Sequence, residues 1–181
     1  MPIIAKGSTG NFIPAPAGTH RGVCVDVVDL GWIEQTWEGK TSSSHKVRIV
    51  WQIDELMEDG RPFLASNRYT LSLDPKANLR KLIEGWTGLA FTTELEAEGF
   101  DVETLIGKSG IVAVTHKAGS KGGVFANVAS VSPLMKGMPN MNAVSYVRVV
   151  DRPADFKSVN EPVPYDDRNP PPVDDSDIPF N

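Results

Sequence analysis

The stretch KVRIVWQI, residues 46–53, has the clearest structural pattern in this 181-residue chain. Apolar side chains occupy every second position, which is the pattern of a strand with one face in a core. A one-residue slip would turn the whole apolar set to solvent, so the pattern also determines which side chains face outward. The predicted inward set is Val47, Ile49, Trp51 and Ile53, and the predicted outward set is Lys46, Arg48, Val50 and Gln52.

Further strand patterns lie on both sides of this stretch. Val23, Val25 and Val27 alternate with smaller or polar residues, and residues 39–44 are expected to form the turn that follows. Asp59 followed by Gly60 predicts a hairpin turn, because glycine readily adopts the positive φ that such turns need. The predicted strands are residues 21–32, 46–53, 63–73, 110–116 and 124–131, and a basic loop at 117–123 joins the last two.

A helical spacing of three and four replaces the alternation between the third and fourth predicted strands. Asp74 is the predicted cap of a helix with Pro75 at its first position, Gly88 ends it, and Thr93 with Glu96 predicts a capping box for a second helix. We therefore expect a helical insertion over residues 74–107. The apolar face of the first helix consists of Leu79, Leu82, Ile83 and Trp86.

Three strands, a helical segment and two strands are the layout of the OB-fold. This small Greek-key barrel commonly binds oligonucleotides on its second and third strands and on the loops after strands one and four. We predict a mainly β protein with a five-stranded OB-fold barrel at residues 19–150. A flexible leader is predicted at residues 1–18 and a tail at residues 151–181.

The net charge of the chain belongs to this tail. Residues 151–181 hold eight acids against three bases, which accounts for the whole formal charge of −5 and leaves residues 1–150 with 15 of each. Prolines recur from residue 153 onward and favour extended conformations, so the tail is predicted to be disordered, acidic and Pro-rich. Such tails often serve only solubility. Apolar residues directly behind the last acids instead indicate a protein-binding tip, namely Asp174, Asp175, Asp177, Ile178, Pro179 and Phe180.

The outward side chains of the second and third predicted strands suggest a nucleic-acid surface. Arg48 and Arg68 are expected on adjacent strands, where two guanidiniums can hold successive phosphates and Gln52 can reach a base edge. Trp37 is the favoured stacking residue. Arginines are also common on a solvated sheet face, so spacing alone leaves both interpretations open. The candidate DNA-binding residues are Trp32, Trp37, Lys40, Lys46, Arg48, Gln52, Arg68, Lys117, Lys121 and Phe125, whereas Trp51 and Trp86 are expected to be buried.

Other kinds of chemistry have little support in the sequence. Cys24 is the only cysteine and is expected to be a small core residue in a strand. The chain has only three histidines in addition, so a zinc site of Cys/His type is not expected. The carboxylates lack a partner histidine or a metal-binding spacing, so we expect neither an enzyme nor a cofactor or metal. The opening residues lack the apolar run of a signal peptide, and no stretch approaches a membrane span, so we expect a cytoplasmic protein without a membrane partner.

The C-terminal residues Asp-Ser-Asp-Ile-Pro-Phe, at 175–180, resemble the acidic tip of bacterial single-stranded DNA-binding proteins. Residues 18–134 are similar to the OB-fold single-stranded DNA-binding proteins encoded by bacteriophages, chiefly in four segments. The resemblance implies sequence-tolerant coating of single-stranded DNA in phage replication, recombination and repair, in the host cytoplasm, with the tip recruiting replication and repair proteins. Asn181 departs from the pattern, because in the bacterial family the phenylalanine is last and its carboxylate is part of what partners recognise. The four similar segments are residues 46–51, residues 67–73, residues 79–82 with Trp86, and residues 125–128.

Another class of function remains open at this point. An OB-like barrel can also serve as a protein-interaction adaptor or a virion component without DNA binding, and a body with as many acids as bases is compatible with that role. Residues 146–150 are predicted to form either a short extra strand or an arm packed on a neighbouring subunit. The sequence thus does not determine the oligomeric state, and a homo-oligomer is one of the alternatives.

Overall fold

The computed structural model of the protein describes residues 13–119 and 123–155. A closed barrel of five strands forms its centre, with the order β1-β2-β3-β5-β4 around the barrel. Neighbouring strands are antiparallel except β3 and β5, which run parallel. This order confirms the predicted mainly β, OB-fold barrel. The strands are β1 (Gly18–Trp37), β2 (Lys40–Leu56), β3 (Pro62–Thr70), β4 (Ser109–Ala118) and β5 (Val124–Ser132).

The barrel core confirms the predicted parity of β2. Its four inward side chains are at most 2 % exposed and belong to one apolar cluster. Cys24 on β1 lies in the same cluster, and burial raises the pKa of its thiol to about 12, so it is an inert core residue as predicted. Trp51 lies in the middle of this core, with its ring centroid 6.0 Å from that of Trp86.

The helical segment lies between β3 and β4, as predicted. It consists of α1 (Asn78–Thr87), α2 (Thr93–Glu98) and a short 3-10 helix at Val102–Leu105. The apolar face of α1 packs into the barrel core, which closes one side of the barrel. The buried residues of this face are the predicted Leu79, Leu82, Ile83 and Trp86.

The helix starts differ from those predicted. The carboxylate of Asp74 accepts from the backbone N–H of Lys76 in a turn, and α1 begins only at Asn78. The prediction that Asp74 caps the helix is therefore wrong, because a local turn already uses its side chain. The cap of α2 is Thr92, whose hydroxyl accepts from the N–H of Leu95, one residue before the predicted position.

The β1–β2 hairpin is longer than predicted. The turn expected at residues 39–44 consists of Glu38 and Gly39 alone, with φ of 47° and 78°, so that Trp37 pairs with Lys40. Two positive φ values in succession match the twist of the flanking strands and let pairing continue up to the turn. Residues 31–44, which we call the arm, pair only within the β1–β2 hairpin and with no third strand in the described chain, and the first two of them, Gly31 and Trp32, pair with Lys46 and His45.

After β5 the chain crosses back over the outer surface of the barrel. Residues 139–152, which we call the strap, cover a second small apolar cluster on that surface. The strap is neither of the two predicted alternatives for residues 146–150, because its one regular turn is the 3-10 helix Val149–Asp151 and it packs on its own barrel. The second cluster consists of Val23, Val25 and Val50, with Leu64, Met141 and Tyr146 packed against it.

Several predicted features fall wholly or partly on residues that the structure does not describe. Residues 13–18 of the predicted leader are described, and Ala15 is buried with its carbonyl accepting a 2.7 Å hydrogen bond from His116 Nε2. Lys121 and the chain beyond residue 155, including the predicted tip, lie outside the described residues. In the described part of the chain, no helix combines the length and apolar character needed to cross a membrane.

Gly110 on β4 offers a test of how tightly the barrel is packed. A Cβ atom there would lie 2.5 Å from Trp86 Nε1 and 2.8 Å from the Ser132 carbonyl, and would displace the hydrogen bond from Trp86 to Ser109. We expect Gly110→Ala to lower the free energy of unfolding by about 2 kcal/mol, as overpacked cores do. Urea denaturation measures this change.

The matched control is Gly85→Ala on the exposed side of α1. The nearest atom to a Cβ there is 4.0 Å away, and alanine in a helix interior is favoured over glycine by roughly 0.5 to 1 kcal/mol, so the control should gain stability. A Gly110→Ala protein as stable as the wild type would contradict the close approach of α1 and β4.

Candidate nucleic-acid interface

Pairing along β1, β2 and β3 assigns the outward side chains to one continuous surface. Directly paired residues of antiparallel strands project to the same side, and every second residue of a strand repeats that side. We call the part of this surface that runs from the arm turn to Arg48 and Arg68 the basic face. Its residues are Val28, Gly31, Ile33, Gln35 and Trp37 of β1, Lys40, Ser42, Ser44, Lys46 and Arg48 of β2, and Arg68 and Thr70 of β3.

The charges on the basic face all have one sign. Its ionisable side chains are Lys40, Lys46, Arg48 and Arg68, and none of its described positions is acidic. The surface is therefore locally cationic although residues 1–150 are neutral as a whole. A neutral body with separated charges can attract a polyanion to one side.

Arg48 and Arg68 lie directly opposite each other on β2 and β3. The sequence predicted this adjacency, and like charges in directly opposed positions repel. The Nε atom of Arg48 is moreover buried and has no hydrogen-bond partner in the described chain. Leaving a buried donor unpaired costs about 1 to 3 kcal/mol. An anion bound between the two guanidiniums would offset the repulsion between their charges.

Trp37 belongs to the basic face and Trp32 does not. Trp37 pairs with Lys40 and is 46 % exposed. Trp32 is 72 % exposed and pairs with His45, which lies on the same side of β2 as the inward set. The two tryptophans are an odd number of residues apart in a regular stretch of strand, so they project from opposite sides of the arm. One strand of nucleic acid lying on the basic face can stack on Trp37 alone.

The side of the arm that carries Trp32 is acidic. Asp29 pairs with Val47 and Glu34 pairs with Ser43, so both carboxylates share that side with Trp32. Asp29 Oδ1 accepts a hydrogen bond from the N–H of Gly31 and lies 2.6 Å from His45 Nε2, and these contacts, the Gly31 bond first, lower the pKa of the Asp29 carboxyl. The ring of His45 lies 5.5 Å from that of Trp32. A phosphate backbone that lay on this side of the arm would meet two carboxylates.

Gln52 does not have the role expected from the sequence. Its side chain is on the predicted outer surface but only 3 % of the residue is exposed, because the strap covers it. Its amide donates to the carbonyl of Val144 and accepts from the N–H of Val144, at 2.7 and 2.8 Å. Val50 is covered in the same way. We therefore leave Gln52 out of the proposed interface.

Lys46 is more enclosed than an outward lysine was expected to be. The residue is buried, and its ammonium donates a 2.8 Å hydrogen bond to the hydroxyl of Thr70 on β3. Thr70 was not among the candidate residues. A buried lysine stem that carries its ammonium to the neighbouring strand gives a fixed positive charge beside Arg68.

The β4–β5 hairpin lies away from the basic face. Lys117 pairs with Phe125 near its tip, so these two candidates lie together, while Lys121 is outside the described residues. β3 and β5 run parallel, and Ser66 lies beside Asn127. Two residues earlier on each strand, Phe125 therefore lies level with Leu64, which packs under the strap, and not with Arg68. The structure does not bring this pair together with Arg48 and Arg68.

Asp26 is the residue of this surface whose role the sequence did not predict. It lies in the apolar run of β1, is buried, and accepts hydrogen bonds from Tyr146 Oη, Arg148 Nε and the N–H of Val149, at 3.0, 3.2 and 2.8 Å. A charge within an apolar strand needs a partner, so the position of Asp26 indicated that some partner exists. The sequence did not identify the strap as that partner.

The described residues contain no candidate metal centre. Within residues 13–119 and 123–155, no three His, Cys, Asp or Glu side chains form a group that could hold a metal ion. Comparison with protein-family models and with curated proteins gave no match for this chain.

The Asp29 contacts predict a specific pH dependence of stability. A carboxyl whose pKa is lower in the folded protein stabilises the fold above its unfolded value of about 3.9, and this contribution is lost as the pH falls through the folded pKa. Asp29→Asn should therefore be less stable than the wild type at neutral pH, and the difference should shrink in acid. Urea denaturation at a series of pH values measures it.

The exposed Asp155 near the end of the described chain provides the matched control, since Asp155→Asn removes one surface charge without touching the arm. A difference between Asp29→Asn and the wild type that stays constant from neutral to acidic pH would show that the His45 and Gly31 contacts do not stabilise the ionised carboxyl.

Proposed function

We propose that this protein binds single-stranded DNA without sequence preference and without catalysis. The charge distribution of the basic face supports this function most strongly. On the basic face, between the arm turn and the Arg48–Arg68 pair, the described positions include four cations, an exposed tryptophan and no acid, and two of the cations are directly opposed arginines. The OB-fold commonly uses its second and third strands for oligonucleotides.

Each group of the basic face has a distinct part in the proposed complex. Arg48 and Arg68 hold a phosphate between them, since a guanidinium presents a planar fork of donors that suits phosphate oxygens. Lys46 and Lys40 neutralise neighbouring phosphates as point charges. Trp37 stacks on a base, and because every base has a π-face, this contact tolerates any sequence. Double-stranded DNA hides its base faces and cannot make the last contact.

The similarity to phage-encoded single-stranded DNA-binding proteins supports a role in phage DNA replication, recombination and repair within the host cytoplasm. In this role the acidic tip at residues 174–180 recruits replication and repair proteins, with Phe180 filling a pocket and the aspartates meeting a basic surface. The tail carries the whole net negative charge of the chain, which favours partners with a basic docking site.

The phosphate contacts can be counted from the salt dependence of binding. Each phosphate contact on a single strand contributes about 0.7 to the slope of log affinity against log salt. Arg48→Gln and Arg68→Gln should each weaken oligo-dT binding and reduce this slope by about that amount. Arg61→Gln, which alters an arginine paired with Asp59 in the β2–β3 turn, is the matched control and should leave the slope unchanged. Equal slopes in all four proteins would contradict the phosphate contacts.

The two arm tryptophans provide a matched pair for the stacking contact. Trp37→Ala should weaken oligo-dT binding by about 1 to 3 kcal/mol, roughly 5- to 150-fold, because the stacked base is lost. Trp32→Ala removes the more exposed ring from the opposite side and should leave the affinity unchanged. Fluorescence anisotropy of labelled oligo-dT measures both, and the reverse ranking would place the DNA on the acidic side.

A protein-interaction adaptor is the second candidate function, and Trp32 is the observation that favours it. Large exposed aromatic residues are typical anchors of protein interfaces, and Trp32 shares its side of the hairpin with Asp29 and Glu34 rather than with Lys or Arg. A titration with single-stranded and with double-stranded DNA of the same length separates the two candidates. Absence of binding to either DNA at low salt would favour the adaptor.

The tip is tested with peptides of residues 152–181 and a purified bacterial repair enzyme that binds the tip of bacterial single-stranded DNA-binding proteins. We expect the natural peptide to bind, Phe180→Ala to abolish binding, and a peptide that ends at Phe180 to bind more tightly, because it restores the terminal carboxylate. No binding of the natural peptide would contradict recruitment through the tip.

A further inference from the structure

The strap divides the outer surface of β1, β2 and β3 into two halves of different character. On one side of the Arg48–Arg68 pair lies the basic face, which the strap does not cover; it is polar apart from Trp37, Ile33 and Val28, and its exposed positions are Trp37 and Lys40. On the other side the surface beneath the strap is apolar, and Val50 and Gln52 on β2 are both buried there. The division falls between Arg48 and Val50, which are consecutive outward positions of one strand.

The strap forms hydrogen bonds with the side-chain amide of Gln52, which lies in this half of the surface. The amide of Gln52 bonds to both the N–H and the carbonyl of Val144. One donor and one acceptor side by side are what a glutamine presents to the edge of an adenine. The strap backbone thus occupies the pairing position that a base would need.

Anchors along the strap hold it in this position. At its start, Ser109 Oγ exchanges hydrogen bonds of 3.0 and 2.8 Å with the carbonyl and N–H of Met141. In its middle, the buried Asp26 carboxylate accepts from Tyr146, Arg148 and Val149. Near its end, Arg148 also pairs with Glu103 of the 3-10 helix, while Arg152 braces the strap internally by donating to the carbonyl of Val147 and to Tyr146 Oη, at 3.0 and 3.1 Å. Releasing the strap would break these hydrogen bonds to Asp26 and expose the second apolar cluster to water, which is costly.

We propose that the strap is an end stop that limits the bound DNA to a short single-stranded segment on the basic face. From Lys40 to Arg48 the face spans about 27 Å of strand, at roughly 3.4 Å per residue. The footprint is then at the lower end of the range of about 4 to 16 nucleotides that one OB-fold binds. This inference rests on the proposed function. It adds the length of the bound DNA and names the strap as the element at which the DNA ends.

The footprint is measured from the affinity of the full-length protein for oligo-dT of increasing length, from about 4 to 16 nucleotides. For the wild type, the affinity per binding site should reach its plateau at the short end of this series. Tyr146→Ala removes the ring from the second apolar cluster and one donor from Asp26, which loosens the strap, so the plateau should move to longer oligomers. Val150→Ala, an exposed position of the same strap, is the matched control and should keep the wild-type plateau.

The outcomes separate this inference from the proposed function. No binding of the wild type to any oligomer would overturn the proposed function itself. Binding with one plateau length in wild type and Tyr146→Ala, or a wild-type plateau at the long end, would overturn the end stop and leave DNA binding in place. A cooperative thermal transition and an unchanged near-ultraviolet circular dichroism spectrum verify that Tyr146→Ala is folded.

Hydrogen exchange of the wild type gives an independent readout should Tyr146→Ala fail to fold. The N–H groups of Val144 and Val149 are bonded to Gln52 and Asp26, so they should exchange slowly in the free protein. Their protection should persist when oligo-dT saturates the protein, because the DNA ends before the strap. Loss of this protection on DNA binding would show that DNA displaces the strap and would overturn the end stop.

Discussion

The alternation of side chains along β2 is the constraint on which the rest of the structure depends. Because Val47, Ile49 and Trp51 enter the barrel core, Lys46 and Arg48 must lie on the outer surface. A shift of one residue would turn both cations into the apolar core and the core side chains to the outer surface. The fold therefore cannot form without this charge pattern on its surface. The same alternation continues into the arm, where it places Trp37 with the cations and Trp32 with the carboxylates.

A second constraint comes from the buried carboxylate of Asp26. Its charge needs partners, and the strap supplies them from Tyr146, Arg148 and Val149. The strap in turn covers the half of the outer surface that is apolar. The packing of the strap on β1 and β2 thus leaves the basic face uncovered beside a covered surface, which is the arrangement on which the proposed end stop rests.

The sequence predicts local periodicity well and distant pairing poorly. The core side of β2, the pairing of Arg48 with Arg68 and the position of α1 follow from spacing, because each depends on residues close together in the chain. The arm was underestimated, since Ser and Thr at 41–44 are typical of turns and a two-residue turn at Glu38 allows them to pair. The strap could not be predicted, because Gln52 and Val144 meet across more than half of the chain.

The most direct test of the proposed DNA site uses the indole N–H resonances of the four tryptophans in one NMR titration with oligo-dT. Trp51 and Trp86 are buried in the barrel and serve as internal references. The account predicts a large shift of the Trp37 resonance that saturates with the DNA and is reversed by salt, with little change at Trp32. A shift at Trp32 with none at Trp37, or no shift at either with excess oligo-dT, would contradict it.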